Sequence, residues 1–167
     1  MRLAIMGLFL ALSLPAMAEP TTIQEVMSEF RKRDATSMQG AILMGDPVIT
    51  GSLEEQGFTA TLLECEKPDY ACRVVMLQTC RAVPLLGVDD ALQIANSYNT
   101  GQAPRGFATV TREGVASLSL CVRSRSDMDA DNYFNMGETF RWSRTMTEFL
   151  EFVDEATLDA QARSILK

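Results

Sequence analysis

The chain opens with a nearly unbroken apolar run, Leu3 to Leu14, behind the basic residue Arg2, and then changes character. From Thr22 onward, apolar and polar positions alternate with recognisable periods. Ile23, Val26, Met27 and Phe30 recur at i, i+3, i+4 and i+7, which predicts an amphipathic helix over 23–33. Thr22 and Glu25 form a capping box at its start: the hydroxyl accepts an amide of the first turn and the carboxylate reaches back. Arg31-Lys32-Arg33 places positive charge at the negative end of the helix dipole.

The period then shortens to two. Ala41–Met44 and Val48–Leu53 read as short strands broken at a Gly45-Asp46-Pro47 turn. Phe58–Cys65 and Cys72–Cys80 read as the arms of a hairpin around the turn-rich segment 66–71. Pro84 and Gly87 interrupt the chain. Asp89 or Asp90 can cap a second helix running to about Asn99, with Ala91, Leu92, Ala95 and Tyr98 as its apolar stripe and Thr100-Gly101 as its stop. A second hairpin joins Phe107–Thr111 to Val115–Arg123 around Arg112-Glu113-Gly114. Its inner face reads Ala116, Leu118, Leu120, Val122, and its loop length leaves the register open. Ser126-Asp-Met-Asp129 resembles another helix start. It predicts a long helix to about Val153 carrying Phe134, Phe140, Trp142, Met146, Phe149 and Val153, with 154–167 as a short helix or frayed end. Gly137 weakens that helix by roughly 1 kcal/mol relative to alanine. The order is helix, four strands, helix, two strands, long helix. It predicts an α+β fold with an antiparallel sheet of about five to six strands and flanking helices, in a single domain over 19–167.

The four cysteines narrow the geometry. Folding the first hairpin symmetrically sets Cys65 opposite Cys72, Leu62 opposite Val75, Ala60 opposite Leu77, and Glu64 opposite Arg73 as an ion pair. Directly opposed residues lie within disulfide reach. Cys72 and Cys80 are separated by eight residues of strand, roughly 26 Å at 3.3 Å per residue, and cannot meet. Cys65 and Cys80 fail for the same reason, which leaves Cys65–Cys72 and Cys80–Cys121. Alternation puts Cys65, Cys72 and Cys80 on one face and points Cys121 away from the Leu118, Leu120, Val122 face. The absence of any Cys-x-x-Cys spacing argues against a catalytic dithiol.

Composition adds compartment and excludes chemistry. In 167 residues, 47% apolar and 22% charged positions are ordinary for a globular protein and argue against disorder. The first 18 residues have the three parts of a secretory signal: a basic start, a short apolar core and an Ala16-Met17-Ala18 end. Cleavage is expected between Ala18 and Glu19. The run falls short of the roughly 20 residues a membrane span needs, so no membrane anchor is expected. An even cysteine count behind such a segment predicts a disulfide-bonded, periplasmic or secreted protein. The chain has no histidine, which removes histidine-dependent nucleophilic catalysis, histidine general bases and histidine metal ligands together. No metal or cofactor is expected. The net charge of −7 disfavours nucleic acid as a partner.

Gly45-Asp46-Pro47-Val48-Ile49, the paired Cys65 and Cys72, Asn96-Ser97-Tyr98-Asn99, and Asp131-Asn132-Tyr133-Phe134 followed by Trp142 and Phe149-Leu150 occur in that order along the chain. Together they resemble the YbjN-like family of bacterial sensory transduction regulators, from about Thr22 to Val153. The resemblance implies a fold like that of type III secretion chaperones, an antiparallel sheet with flanking helices. It implies a regulatory role and supplies no catalytic residues.

The expected function is therefore a non-enzymatic binding or regulatory module in the periplasm, its partner a protein, peptide or small ligand. Asn96, Tyr98 and Asn99 on the second helix, and Arg141 and Trp142 on the last, are the candidate binding residues, Trp and Arg being enriched in binding hot spots. One alternative is a carboxylate-based envelope hydrolase drawing on Glu54-Glu55, Asp89-Asp90 or Asp127-x-Asp129-x-Asp131. Another is a chaperone or structural protein of the envelope.

Overall fold

The computed structural model describes residues 21–68, 70–101, 106–113, 117–128 and 133–165. Helix α1 (Ile23–Arg31) leads into four strands, β1 (Thr36–Leu43), β2 (Asp46–Leu53), β3 (Gln56–Glu66) and β4 (Ala71–Ala82). Helix α2 (Val88–Gly101), strands β5 (Phe107–Glu113) and β6 (Ser117–Asp127), and helix α3 (Met136–Ile165) complete the order. The strands form one antiparallel sheet in the order β1-β2-β3-β4-β6-β5. The expected α+β arrangement holds. The expected signal segment, with its Ala18–Glu19 cleavage point, lies outside the described residues.

All three helices pack on one face of the sheet. Ile49, Leu53, Phe58, Ala60, Leu62, Val75, Leu77, Leu120, Val122 and Ala108 share that face by register and join Val26, Phe30, Tyr98, Trp142, Met146 and Phe149 in one apolar cluster. The capping box of α1 is formed: Thr22 N donates to Glu25 Oε2 at 2.7 Å, and Glu25 N to the Thr22 hydroxyl at 3.4 Å. The helix ends two residues earlier than its charge pattern predicts, with Lys32 as its C-cap and Asp34 at φ 59°. Among the described residues, no helix is long and apolar enough to cross a membrane.

Both disulfides pair as the strand geometry predicts, Cys65 with Cys72 and Cys80 with Cys121, each directly opposed in register. The symmetric hairpin sets Leu62 opposite Val75 and Ala60 opposite Leu77. The expected Glu64–Arg73 ion pair does not form. Glu64 takes a left-handed φ of 56° that lifts it out of the ladder. Arg73 then binds Glu66 at 2.7 Å and Glu64 reaches Arg125 at 3.5 Å. The cysteines expected on one face do not share one environment: Cys72 is fully buried in the core cluster, whereas Cys80 is exposed.

Several boundaries move for identifiable reasons. The β1–β2 turn is the two-residue Met44-Gly45, both at positive φ (54° and 98°), so Asp46 and Pro47 belong to β2. In a two-residue hairpin the pair flanking the turn is hydrogen-bonded and the next is not. Pro47 therefore aims its missing N–H towards β3, and the β2–β3 ladder starts only at Val48 opposite Thr61. On α2 the buried stripe is Ala91, Ile94, Ala95 and Tyr98; Leu92 faces solvent. The helix ends at Gly101, two residues past the expected Asn99 and within the expected Thr100-Gly101 stop. The second hairpin pairs Phe107 with Arg123 through to Glu113 with Ser117, so Arg112 and Glu113 lie in β5.

The largest shift is the start of α3. Ser126 does not open a helix, because β6 stays bonded to β4 as far as Asp127 opposite Val74 and Met128 N then donates to Arg73 O at 2.7 Å. A continued ladder satisfies these backbone groups where a helix cap would strand them. The cap is Asn135, whose Oδ1 accepts from Gly137 N at 2.7 Å. The helix then runs unbroken through the segment expected to be short or frayed. Arg81 on β4 holds its second half through a two-pronged ion pair with Asp154. Phe140, expected in the core stripe, is exposed.

Candidate binding surface

Four groups of side chains compete as the functional site. The first is the α2 motif. Asn99 donates from Nδ2 to Ala108 O at 2.9 Å and accepts from Ala108 N at 2.7 Å. Its amide thus takes up both backbone groups that Ala108 turns away from β6 and caps the β5 edge at that residue. Tyr98 is buried, its ring edge-on to Phe149 at 5.2 Å and Phe152 at 5.4 Å. Burial, and secondarily the charge of Glu148, raises its hydroxyl pKa. Asn96 is exposed, and its carbonyl accepts from the Thr100 hydroxyl at 2.9 Å. The motif is therefore divided between packing, edge sealing and surface. A hollow of about 160 Å³ beside it, between α2 and α3, is lined by Asp90, Gln93, Ser97, Phe152, Asp159 and Arg163 among others.

The second group is on α3. Trp142 lies in the core at 1% exposure, with its indole N–H unpartnered. Arg141 is exposed and pairs with Glu138, a buried carboxylate that also accepts from the Ser126 hydroxyl at 2.9 Å. Arg144 pairs with Glu148 at 2.6 Å. The helix turns Trp142 to the sheet and both arginines outward, so the three do not form one patch.

Near the end of α1 an open cleft of about 490 Å³ is lined by Lys32, Arg33, Asp34, Thr36, Ser52, Glu54 and Glu55. Glu54 and Glu55 make the β2–β3 turn without glycine, at φ 51° and 65°. Glu54 accepts from the Ser143 hydroxyl at 2.7 Å and from Arg33 at 3.4 Å, and Arg33 lies over the Phe140 ring at 5.2 Å. These partners explain a turn of glutamates where a two-residue hairpin prefers Asn or Gly. Among the described residues the carboxylates named for hydrolysis are not assembled into one site: Glu54 and Glu55 line this cleft, and Asp89 and Asp90 lie in the first turn of α2; Asp129 and Asp131 lie outside the described residues. Among the described residues no cluster of three metal-ligating side chains forms.

The fourth group is the sheet face turned away from the helices. Register aligns Gln39, Thr50, Thr59, Gln78, Arg123 and Phe107 in one row across all six strands. A parallel row holds Ala41, Val48, Thr61, Met76 and Arg125. Arg123 is oriented by Gln78, its Nε donating to Oε1 at 2.7 Å, and stands beside the exposed Phe107. The Cys80–Cys121 disulfide crosses this face, with the Thr111 hydroxyl 3.2 Å from Cys121 Sγ. Threonine, glutamine, arginine and one aromatic ring offer donors, acceptors and an apolar contact on one face. Single-strand patterns point these residues outward, but only the register brings them into a row. The two disulfides are compatible with an oxidising, extracytoplasmic compartment. No family model, curated protein or solved structure matches this chain.

Proposed function

We propose that this chain is an exported, non-catalytic binding or regulatory module of the YbjN-like kind, acting in the bacterial periplasm and holding a partner against the helix-free face of its sheet. The observation that carries the reading is the polar row from Gln39 to Phe107, laid across six strands and pinned by the Cys80–Cys121 bridge. A broad sheet face with an exposed aromatic and an oriented guanidinium suits contact with another molecule better than bond-making at one point. The export-type segment, the absence of histidine and the resemblance to the YbjN-like family support the same reading.

A photo-crosslinking residue in place of Thr59 or Gln78, with the exposed Gln93 of α2 as control, tests it in the intact envelope. Defined adducts from the two sheet positions and none from Gln93 are expected. Adducts only from Gln93, or none from either sheet position under oxidising conditions, refute the sheet face as the binding surface.

A further inference from the structure

The two edges of the sheet are treated differently. On the β5 edge, Asn99 occupies the outward N–H and C=O of Ala108, and α2 packs along the strand. The β1 edge has no such cover among the described residues: every residue of the strand except Met38 is exposed. The irregularity between Thr36 and Gln39, with Ser37 at φ 53°, leaves Gln39–Leu43 as a regular ladder. Residues 39, 41 and 43 turn their backbone groups to β2, because Leu43–Asp46 is the hydrogen-bonded pair flanking the turn. The N–H and C=O of Gly40 and Ile42 therefore point outward. Proteins ordinarily guard such an edge with charge or proline, yet Thr36–Leu43 contains neither, in a chain of net charge −7.

We infer that β1 pairs antiparallel with β1 of a second copy of this chain, about a two-fold axis at Ala41. That axis sets Gly40 of one copy opposite Ile42 of the other, so both outward-facing residues of each strand are satisfied by two hydrogen-bonded pairs. Ala41 meets its own copy at a close, non-hydrogen-bonded position, where a small side chain fits. Gly40 supplies the second half of the complementarity. A Cβ there would lie 3.1 Å from Ile23 Cγ2 and 3.6 Å from Met27 Sδ, so these two side chains of α1 form an apolar wall directly over the glycine. Ile42, 45% exposed in a single copy, is brought across the ladder against that wall twice over. No charged side chain on either strand opposes the approach. The pairing is isologous, joins the two sheets into one, and leaves the helix-free face of each copy open.

Sedimentation of the purified, oxidised full chain at micromolar concentration tests this, and because no other protein is present the result is independent of any sheet-face partner. Twice the chain mass is expected for the wild type. The single-chain mass is expected for Ile42→Lys, whose exposed position leaves the core intact, checked by an unchanged circular dichroism spectrum. Ala41→Cys is expected to form an intermolecular disulfide, whereas Leu43→Cys, facing Gln39 of the other copy, is not. A wild type at single-chain mass, a dimer that survives Ile42→Lys, or a dimer in which Ala41→Cys fails to crosslink overturns the inference.

Discussion

Replacing Cys80 and Cys121 together by alanine isolates what the long bridge does. The pair is directly opposed between β4 and β6, with Thr79–Val122 and Arg81–Leu120 paired on either side, so the native ladder survives without the covalent bond. Cys80 is exposed and leaves no cavity. Cys121 is buried, with one polar contact from Thr111, so its truncation adds a fraction of a kcal/mol. The main effect falls on the unfolded chain. A bridge of sequence separation 41 removes loop entropy worth ~4 kcal/mol at 25 °C on the chain-entropy account. A domain of this size is ordinarily stable by about 5–15 kcal/mol, so the loss is a large share of the total. Urea unfolding followed by the fluorescence of Trp142, the single tryptophan, measures it. The midpoint is expected to fall. The slope is expected to rise, because an unbridged unfolded chain exposes more surface. A loss below ~1 kcal/mol with an unchanged slope refutes the argument, since it means the unfolded chain keeps the two strands together without the bond.

Gly106→Ala is expected to destabilise by about 1–3 kcal/mol in the same assay, because its Cβ would stand 2.6 Å from Val122 Cγ2 and 3.0 Å from the backbone oxygen of Arg123. Trp142→Ala removes a fully buried ring and is expected to cost about 3–5 kcal/mol. Trp142→Phe costs markedly less, because it also removes an indole N–H buried without a partner; calorimetry that ranks the two equal argues against this account. Burial raises the Tyr98 pKa in the folded state, so stability is constant below the unfolded value of about 10 and falls as pH rises above it. Tyr98→Phe is expected to flatten that alkaline limb, and an unchanged slope counts against the assignment.

The sequence by itself determined the features that depend on near neighbours. The capping box of α1 spans three residues, and the order of helices and strands follows from hydrophobic period. The Cys65–Cys72 pairing follows from a short symmetric hairpin, and Cys80–Cys121 from the reach of a rigid strand. Only the tertiary structure decided what depends on distant partners. Ser126 reads locally as a helix cap, but its backbone is claimed by a ladder with β4 that is worth more than a cap. Glu54-Glu55 reads as a candidate carboxylate pair for hydrolysis, but Arg33 and Ser143 hold Glu54 in a turn without glycine. Asn99 and Tyr98 read as candidate ligand contacts; in the fold one bonds the outward backbone of Ala108 and the other packs on α3. The row from Gln39 to Phe107 and the bare edge of β1 are likewise invisible in any single segment. A strand's own alternation says which side chains point together, while register and neighbours, set by residues far away in the chain, say what they stand beside and what is left uncovered.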